Sequence, residues 1–188
     1  MAGCCSEVSL VRRSLLLAPF AWAQLARAQP ARAQPARTQL AIPPLLLEHA
    51  GRLLATLIQA GRDAAIAAGV KPVPAPIERA LLGYFPDGIL RRIRYVSGQA
   101  DAIAIPGMAM GYGDIDAIAL GDTILFRDDK TAQADAKLWA HELTHIMQYE
   151  RWGIEGFARR YIEDFAAIEK EARDNADRFA RWRQEVRT

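Results

Sequence analysis

Two of the three histidines in the chain, His141 and His145, stand four residues apart, with Glu142 directly after the first. Residues four apart lie on one face of an α-helix, so the two imidazoles can bind one metal ion. Glu142 is not needed as a ligand, and its place next to His141 suits a general base acting on a metal-activated water. This His-Glu-x-x-His pattern therefore predicts a helical zinc site for hydrolysis.

The residues around the motif have the pattern of an amphipathic helix. Between residues 134 and 149 there is no Gly or Pro, and apolar residues recur at helical spacing, at Leu138, Leu143, Ile146 and Met147. Two surface histidines on an ordinary helix would give the same motif, but this context favours a metal site. We expect Asp128 or Asp129 to cap the start of the helix and Gly153 to end it.

The first 28 residues have the features of an export signal. Arg12 and Arg13 precede an apolar run of about ten residues, and Ala26-Arg27-Ala28 resembles a cleavage site before Gln29. The run is too short for a transmembrane helix. We therefore expect a periplasmic or secreted protein without a stable membrane anchor, exported by the Sec or the twin-arginine route. A buried N-terminal helix is the alternative.

The composition is that of a soluble globular protein, with 51% hydrophobic and 24% charged residues. The formal net charge of +2 gives no reason to expect a nucleic-acid partner. An Ala-Arg-Ala-Gln-Pro repeat continues through residues 29–39 without an apolar period, which is typical of a flexible linker. The sequence therefore predicts a signal peptide at 1–28, a linker at 29–39 and one domain at 40–188.

That domain is predicted to be α+β and mostly helical. Helices are expected from Pro43-Pro44 to Gly69, over residues 76–85, and from 164 to 187, with a helix passing into a strand over residues 89–96. Gly121-Asp122 separates two β-prone runs, which predicts a small antiparallel hairpin next to the motif helix. Residues 97–114 are predicted to be a loop that covers a cleft.

A catalytic zinc site usually has three protein ligands and one open position. Cys4 and Cys5 would leave with the signal, and His49 lies on the first helix, where a structural role is favoured. The third ligand is therefore expected to be a carboxylate on a later helix. Glu169 and Glu171 are candidates, and because they lie about 200° apart around the helix axis, only one can face the motif.

The motif and the later Glu169-Lys170-Glu171-Ala172 resemble the gluzincin metallopeptidases. In several of those families the first glutamate of Glu-x-x-Ala is the third zinc ligand, which implies Glu169, with Glu171 as the alternative. More narrowly, residues 121–149, with the core His-Glu-Leu-Thr-His-x-x-Gln, resemble the DUF4157 domain. That domain is a zinc-metallopeptidase-like module also found with extracellular contractile injection systems. The resemblance extends over about residues 90–180 and implies a zincin-like fold.

These residues together predict an exported zinc-dependent peptidase that acts on a peptide or protein substrate. Zn²⁺ would be held by His141, His145 and Glu169, and Glu142 would move the proton. The alternative is a non-catalytic, zinc-containing interaction or assembly module of the same fold. A helical partner-binding protein without metal is a third reading. The oligomeric state is not predicted.

Two further roles have candidates in the sequence. A hydroxyl group should stabilise the oxyanion, and Tyr161, Tyr149 and Tyr112 are equally suitable. A carboxylate or carbonyl should orient the histidines, and Asp164 and Asp174 are candidates for this.

Overall fold

The computed structural model describes residues 42–98 and 116–186. The predicted signal peptide, the linker, Tyr112 and almost all of the predicted 97–114 loop lie outside these residues. The described elements, in chain order, are α1 (Pro44–Ala67), β1 (Lys71–Pro72), α2 (Ala75–Leu81), α3 (Asp87–Arg92), β2 (Arg94–Ser97), β3 (Ala117–Leu120), β4 (Thr123–Phe126), α4 (Asp129–Ala134), α5 (Ala136–Glu163) and α6 (Phe165–Glu185). The predicted α+β class, mostly helical with a small sheet, is confirmed.

The first helix, α1, starts at its proline pair and ends before Gly69, whose φ of 96° is readily adopted only by glycine. One face of α1 is buried against the domain. The opposite face leaves Leu45 and Leu53 exposed, so these leucines do not belong to the core. A Cβ on Gly51 would lie 3.2 Å from the backbone of Arg159, so glycine allows α1 to approach α5 closely.

The sheet has the strand order β1-β2-β4-β3 and is mixed rather than purely antiparallel. The hairpin of β3 and β4 turns at Gly121, as predicted, with φ of 69°. β2 lies parallel to β4 and antiparallel to β1, which contributes two residues at one edge. The other edge is β3, and it faces the cleft beside α5.

The entry into the motif helix differs from the prediction. Asp128 caps the short helix α4 by accepting a hydrogen bond from the Thr131 N–H. The chain then breaks at Asp135, which caps α5 by accepting from the Leu138 N–H. Asp128 and Asp135 each cap a helix, so residues 128–135 contain two helix starts where the sequence analysis expected one.

Helix α5 carries the motif and bends where Gly153 takes φ 68° and ψ 170°. The predicted end of the first segment at Gly153 is thus confirmed, with a second helical segment after it. Asp164 separates α5 from α6 and caps α6. Contacts between the two helices run in opposite order, from Gln148 with Ile168 to Lys137 with Asp177. The antiparallel pair therefore places the start of α6 against the motif.

Candidate metal centre

Both motif histidines project from one face of α5, as their spacing predicted. Their Nε2 atoms lie 3.1 Å apart. The side chain of His145 is 7% exposed and that of His141 is 19% exposed, so the pair lies at the inner end of a cleft. A helix capped at Asp135 and packed on the sheet through buried Trp139 holds both rings in place.

Glu169 reaches the histidines from the second turn of α6. Its Oε2 lies 3.4 Å from the His141 Nε2, and its Oε1 lies 3.3 Å from the His145 Nε2. The potential ligand atoms of the three residues all lie within 4.8 Å of one another. The structure thus brings together the three residues that the sequence analysis named as ligands.

The spacing of these atoms fits a metal ion. In a tetrahedral site with bonds of about 2.0–2.2 Å, ligand atoms are separated by about 3.3–3.6 Å. The three closest separations here, 3.1, 3.3 and 3.4 Å, are near that range. Two imidazole nitrogens and one carboxylate also leave a fourth position open. The three residues could therefore hold a metal ion, with each oxygen of Glu169 next to a different histidine.

Glu171, the alternative third ligand, lies elsewhere. Its carboxylate accepts hydrogen bonds from the Gln148 side chain at 3.0 Å and from Arg151 at 3.1 Å. It therefore faces the side of α5 and not the histidine pair, as the 200° separation from Glu169 requires.

The residue that orients His145 is Gln148, which was not among the predicted candidates. Its Oε1 lies 2.8 Å from the His145 Nδ1, so Nδ1 carries the hydrogen and Nε2 is left to a metal. Its amide N–H groups donate to the Ile168 carbonyl and to Glu171. The side chain is fully buried. The signal was present in the sequence, because Gln148 is the last residue of the His-x-x-Gln core.

The two aspartates proposed for that orienting role are engaged in other contacts. Asp164 accepts the Ala167 N–H as the cap of α6, and Asp174 pairs with Lys170 at 2.6 Å. Both contacts are made within α6 and its cap, so these aspartates are not the groups that the structure shows next to the motif histidines.

Glu142 lies beside the cluster and lines the same cleft, but only 3% of it is exposed. Burial raises the pKa of its carboxyl group, while the nearby histidines and a hydrogen bond from the Ala119 backbone act in the opposite direction. The carboxyl group of Glu142 is thus held by one strand N–H in an environment whose burial favours its protonated form.

The histidines next to Glu169 favour its ionised form, which is the form that binds a metal. Burial would raise the pKa of Glu169, but hydrogen bonds with His141 and His145 outweigh it and hold this pKa far below its ordinary value. Burial likewise opposes charge on His145, yet the contacts with Glu169 and the charge of Glu142 raise its pKa above the ordinary value. Both shifts act in the same direction, toward an ionised Glu169 beside a protonated His145.

Two of the three tyrosine candidates are described, and they differ. The Tyr161 hydroxyl lies 3.4 Å from Glu169 Oε1 and lines the cleft. Tyr149 is buried and donates to the Ala119 carbonyl at 3.2 Å, and burial raises its pKa well above the ordinary value. Tyr149 thus supports strand β3, and Tyr161 is the hydroxyl that faces the cluster.

A cleft of about 610 Å³ opens from the cluster between β3 and α6. Lys137 lines this cleft and pairs with Asp177 at 2.7 Å. Arg173 lines its α6 wall, and the Arg173 Nη1 lies 3.6 Å from Glu169 Oε2. Sequence reasoning did not single out Arg173. Its only signal was its place one helical turn after Glu169.

Comparison with known proteins gives one family match. Residues 72–153 match the family model of the eCIS core domain, which is the DUF4157 family. The resemblance to DUF4157 is thus confirmed for that segment, which begins earlier and ends earlier than the predicted 90–180. It includes His141, Glu142 and His145 but stops before Glu169. No curated protein and no solved structure matches the chain.

Within residues 42–98 and 116–186, no helix combines the length and the apolar character needed to span a membrane.

Proposed function

We propose that this protein is a zinc-dependent peptidase. The observation that carries the proposal is the arrangement of His141, His145 and Glu169 around one point, with the buried carboxyl of Glu142 lining the same cleft. Two imidazoles and a carboxylate are a donor set that suits zinc and leaves a position for water. When bound, zinc would lower the pKa of a water molecule to about 7 and polarise a carbonyl group.

The chain's own residues would do the proton transfer and the positioning. Glu142 accepts a proton from the attacking water and later delivers it to the amine that leaves. Burial raises the pKa of this carboxyl group above its ordinary value, which is the direction that favours taking up the proton of the water. The Tyr161 hydroxyl, directed at the cluster, is placed to donate a hydrogen bond to the oxyanion of the tetrahedral intermediate.

The edge of the sheet supports a peptide as the substrate. The Arg127 N–H donates to the Asp116 carbonyl at 2.9 Å, so in this antiparallel pair the backbone groups of Ala117 and Ala119 point away from β4. Those of Ala119 are occupied by Glu142 and Tyr149. Ala117 lines the cleft, and its outward N–H and C=O could pair with an extended peptide.

The substitution Glu142→Gln tests the proposal directly. The variant should retain one zinc ion per chain and lose cleavage of a peptide library, because the amide cannot accept the proton. The matched control is Glu155→Gln, an exposed position on the same helix. Full cleavage by the Glu142→Gln protein would contradict the mechanism, and the absence of bound zinc in the wild type would contradict the metal centre.

We also propose export, on the strength of Arg12-Arg13, the apolar run and the Ala28 cleavage site. The mature chain would then begin at Gln29 and lack cysteine, and the intact mass of protein recovered from a periplasmic extract measures this. A mass that includes residues 1–28 would contradict it.

The second candidate function is a non-catalytic assembly module. It is favoured by the family match, which is described as a core domain and ends before the third candidate ligand. Such a protein would bind zinc yet cleave no peptide in a library. Cleavage by the wild type that a chelator stops and added zinc restores would exclude it.

A further inference from the structure

The α6 wall of the cleft carries a positive charge that the proposed chemistry does not use. Arg173 lies one helical turn after Glu169, lines the cleft, and has a side chain that is 49% exposed. Its Nη1 is 3.6 Å from Glu169 Oε2, which is longer than a good hydrogen bond. The guanidinium therefore lies beside the cluster without a close hydrogen bond to Glu169.

Arg173 shares its ion-pair partner with other groups. Glu169, its ion-pair partner among the described residues, is itself engaged by both histidines. The other cation in the cleft, Lys137, has its own partner in Asp177 at 2.7 Å. Of the two cations in the cleft lining, Arg173 is thus the one with donors to offer a ligand.

A guanidinium group in such a place is suited to a carboxylate. Its donors form a planar fork that can bind both oxygens of a carboxylate at once. It lies next to a residue of the metal cluster, so a peptide bound there would place a group close to its scissile bond within reach.

We propose that Arg173 binds a carboxylate of the substrate next to the scissile bond. This carboxylate is either the C-terminus of the peptide or an acidic side chain. The inference rests on the proposed peptidase function and specifies its substrate class, namely peptides that present a negative charge at this subsite.

Two matched pairs of peptides test the inference and distinguish the two sources. One pair differs only in a free or an amidated C-terminus, and the other has Glu or Gln beside the scissile bond. With the zinc-loaded wild type, kcat/KM should favour the charged member of one pair by about tenfold or more. Arg173→Gln should remove that preference, with the loss confined to the charged peptide. Arg181→Gln, an exposed change of the same charge on α6, should leave the preference intact.

Binding provides a readout that does not require turnover. NMR titration of the zinc-loaded Glu142→Gln protein with N-acetylated alanine tetrapeptides should show the same discrimination. The free acid is compared with the amide, and an internal Glu with Gln. The discrimination should disappear in the double variant that adds Arg173→Gln.

Two results would overturn the inference while leaving the peptidase proposal standing. One is cleavage by the wild type with no preference in either pair. The other is an equal loss for charged and neutral peptides in Arg173→Gln together with weaker zinc binding, since Arg173 would then only position Glu169. Failure of the wild type to cleave any peptide contradicts the proposed function instead, and the NMR comparison then decides the role of Arg173.

Discussion

At the scale of single residues, one glutamine sets the direction of a candidate ligand. Gln148 is fully buried and connects the His145 Nδ1 with the Ile168 carbonyl and Glu171 on α6. Since its carbonyl accepts the Nδ1 hydrogen, the lone pair of His145 is directed from Nε2 into the cluster. Because this contact already holds the imidazole in position, the ring needs little reorientation when a metal binds.

Replacing Gln148 with Ala should therefore weaken zinc binding by about 10- to 100-fold. Competition against a chelator of known affinity, measured on the folded variant, gives the change. Gln133→Ala is the control, because that glutamine is exposed and donates to the Tyr95 hydroxyl away from the cluster. Unchanged zinc affinity in Gln148→Ala would show that the packing of α5 alone orients His145.

Protonation in the cluster should give the metal-free and zinc-loaded proteins opposite responses to pH. His145 and Glu142 both have pKa values raised on folding, so each contributes stability that is present below its unfolded pKa and lost as pH rises through the folded pKa. For the metal-free protein, we expect the urea concentration at the midpoint of unfolding to decrease as the pH rises from 6 to 8. Zinc requires neutral imidazole, so its affinity should rise over the same interval.

Calorimetry in buffers of different ionisation enthalpy checks the second half of this prediction. Zinc binding near pH 6 should release protons, and fewer should be released near pH 8. His49 provides an internal comparison, since it is exposed and lies outside the cluster. The same proton release in His49→Ala would assign the protons to the cluster. The absence of proton release at either pH would contradict a raised pKa of His145.

At the scale of elements, the backbone at Gly153 separates the motif segment of α5 from the segment that leads to α6. Its φ of 68° with ψ of 170° belongs to a region that residues with a Cβ almost never occupy. No atom lies within 4 Å of a Cβ built there, so the constraint comes from the backbone and not from crowding.

Gly153→Ala should accordingly destabilise the protein by about 1–3 kcal/mol, measured by urea unfolding of the metal-free chain. Gly88→Ala is the matched control. A Cβ at Gly88 also meets nothing within 4 Å, but its φ is not positive and it lies within α3. Alanine there should be neutral or slightly stabilising. Equal effects at both positions would mean that the bend in α5 relaxes at little cost.

Local signals explain which elements the sequence could predict. The hairpin at Gly121, the interruption at Gly153 and the amphipathic period of α6 are each encoded within a few residues, and the structure has all three. The parallel pairing of β2 with β4 joins residues 94–97 to 123–126, and no local pattern specifies such a contact. The break at Asp135 was missed because aspartate suits both a helix surface and a helix cap.

The candidate site divides in the same way. The spacing of His141 and His145 predicts a shared face from helix geometry alone, and the family resemblance indicated Glu169. The difference between Tyr161 and Tyr149 depended on which hydroxyl the packing directs at Glu169, and this is a tertiary property. The only sequence signal of Arg173 was its place one helical turn after Glu169, because its role depends on the cleft that α6 and β3 form together.

At the scale of the whole molecule, the cluster joins α5 and α6, two of the three longest helices in the part of the chain that the structure describes. Two candidate ligands come from α5 and the third from α6, and the helices are also held by side-chain contacts such as that of Thr144 with Asn175. A metal ion bound only by the folded arrangement stabilises the native state by mass action. Zinc should therefore act as a crosslink between the helices.

Zinc at about 1,000 times its dissociation constant adds about 4 kcal/mol to the free energy of unfolding. For a domain of about 150 residues this corresponds to a rise in Tm of roughly 8–16 °C. Differential scanning calorimetry with and without a chelator measures it. His145→Ala should abolish the increment, because His141 and Glu169 alone would bind zinc too weakly to stabilise the fold. His49→Ala removes the one histidine outside the cluster and should retain the full increment. If the increment survived in His145→Ala and disappeared in His49→Ala, the stabilising metal would lie on α1, and the cleft would lose its claim to a catalytic centre.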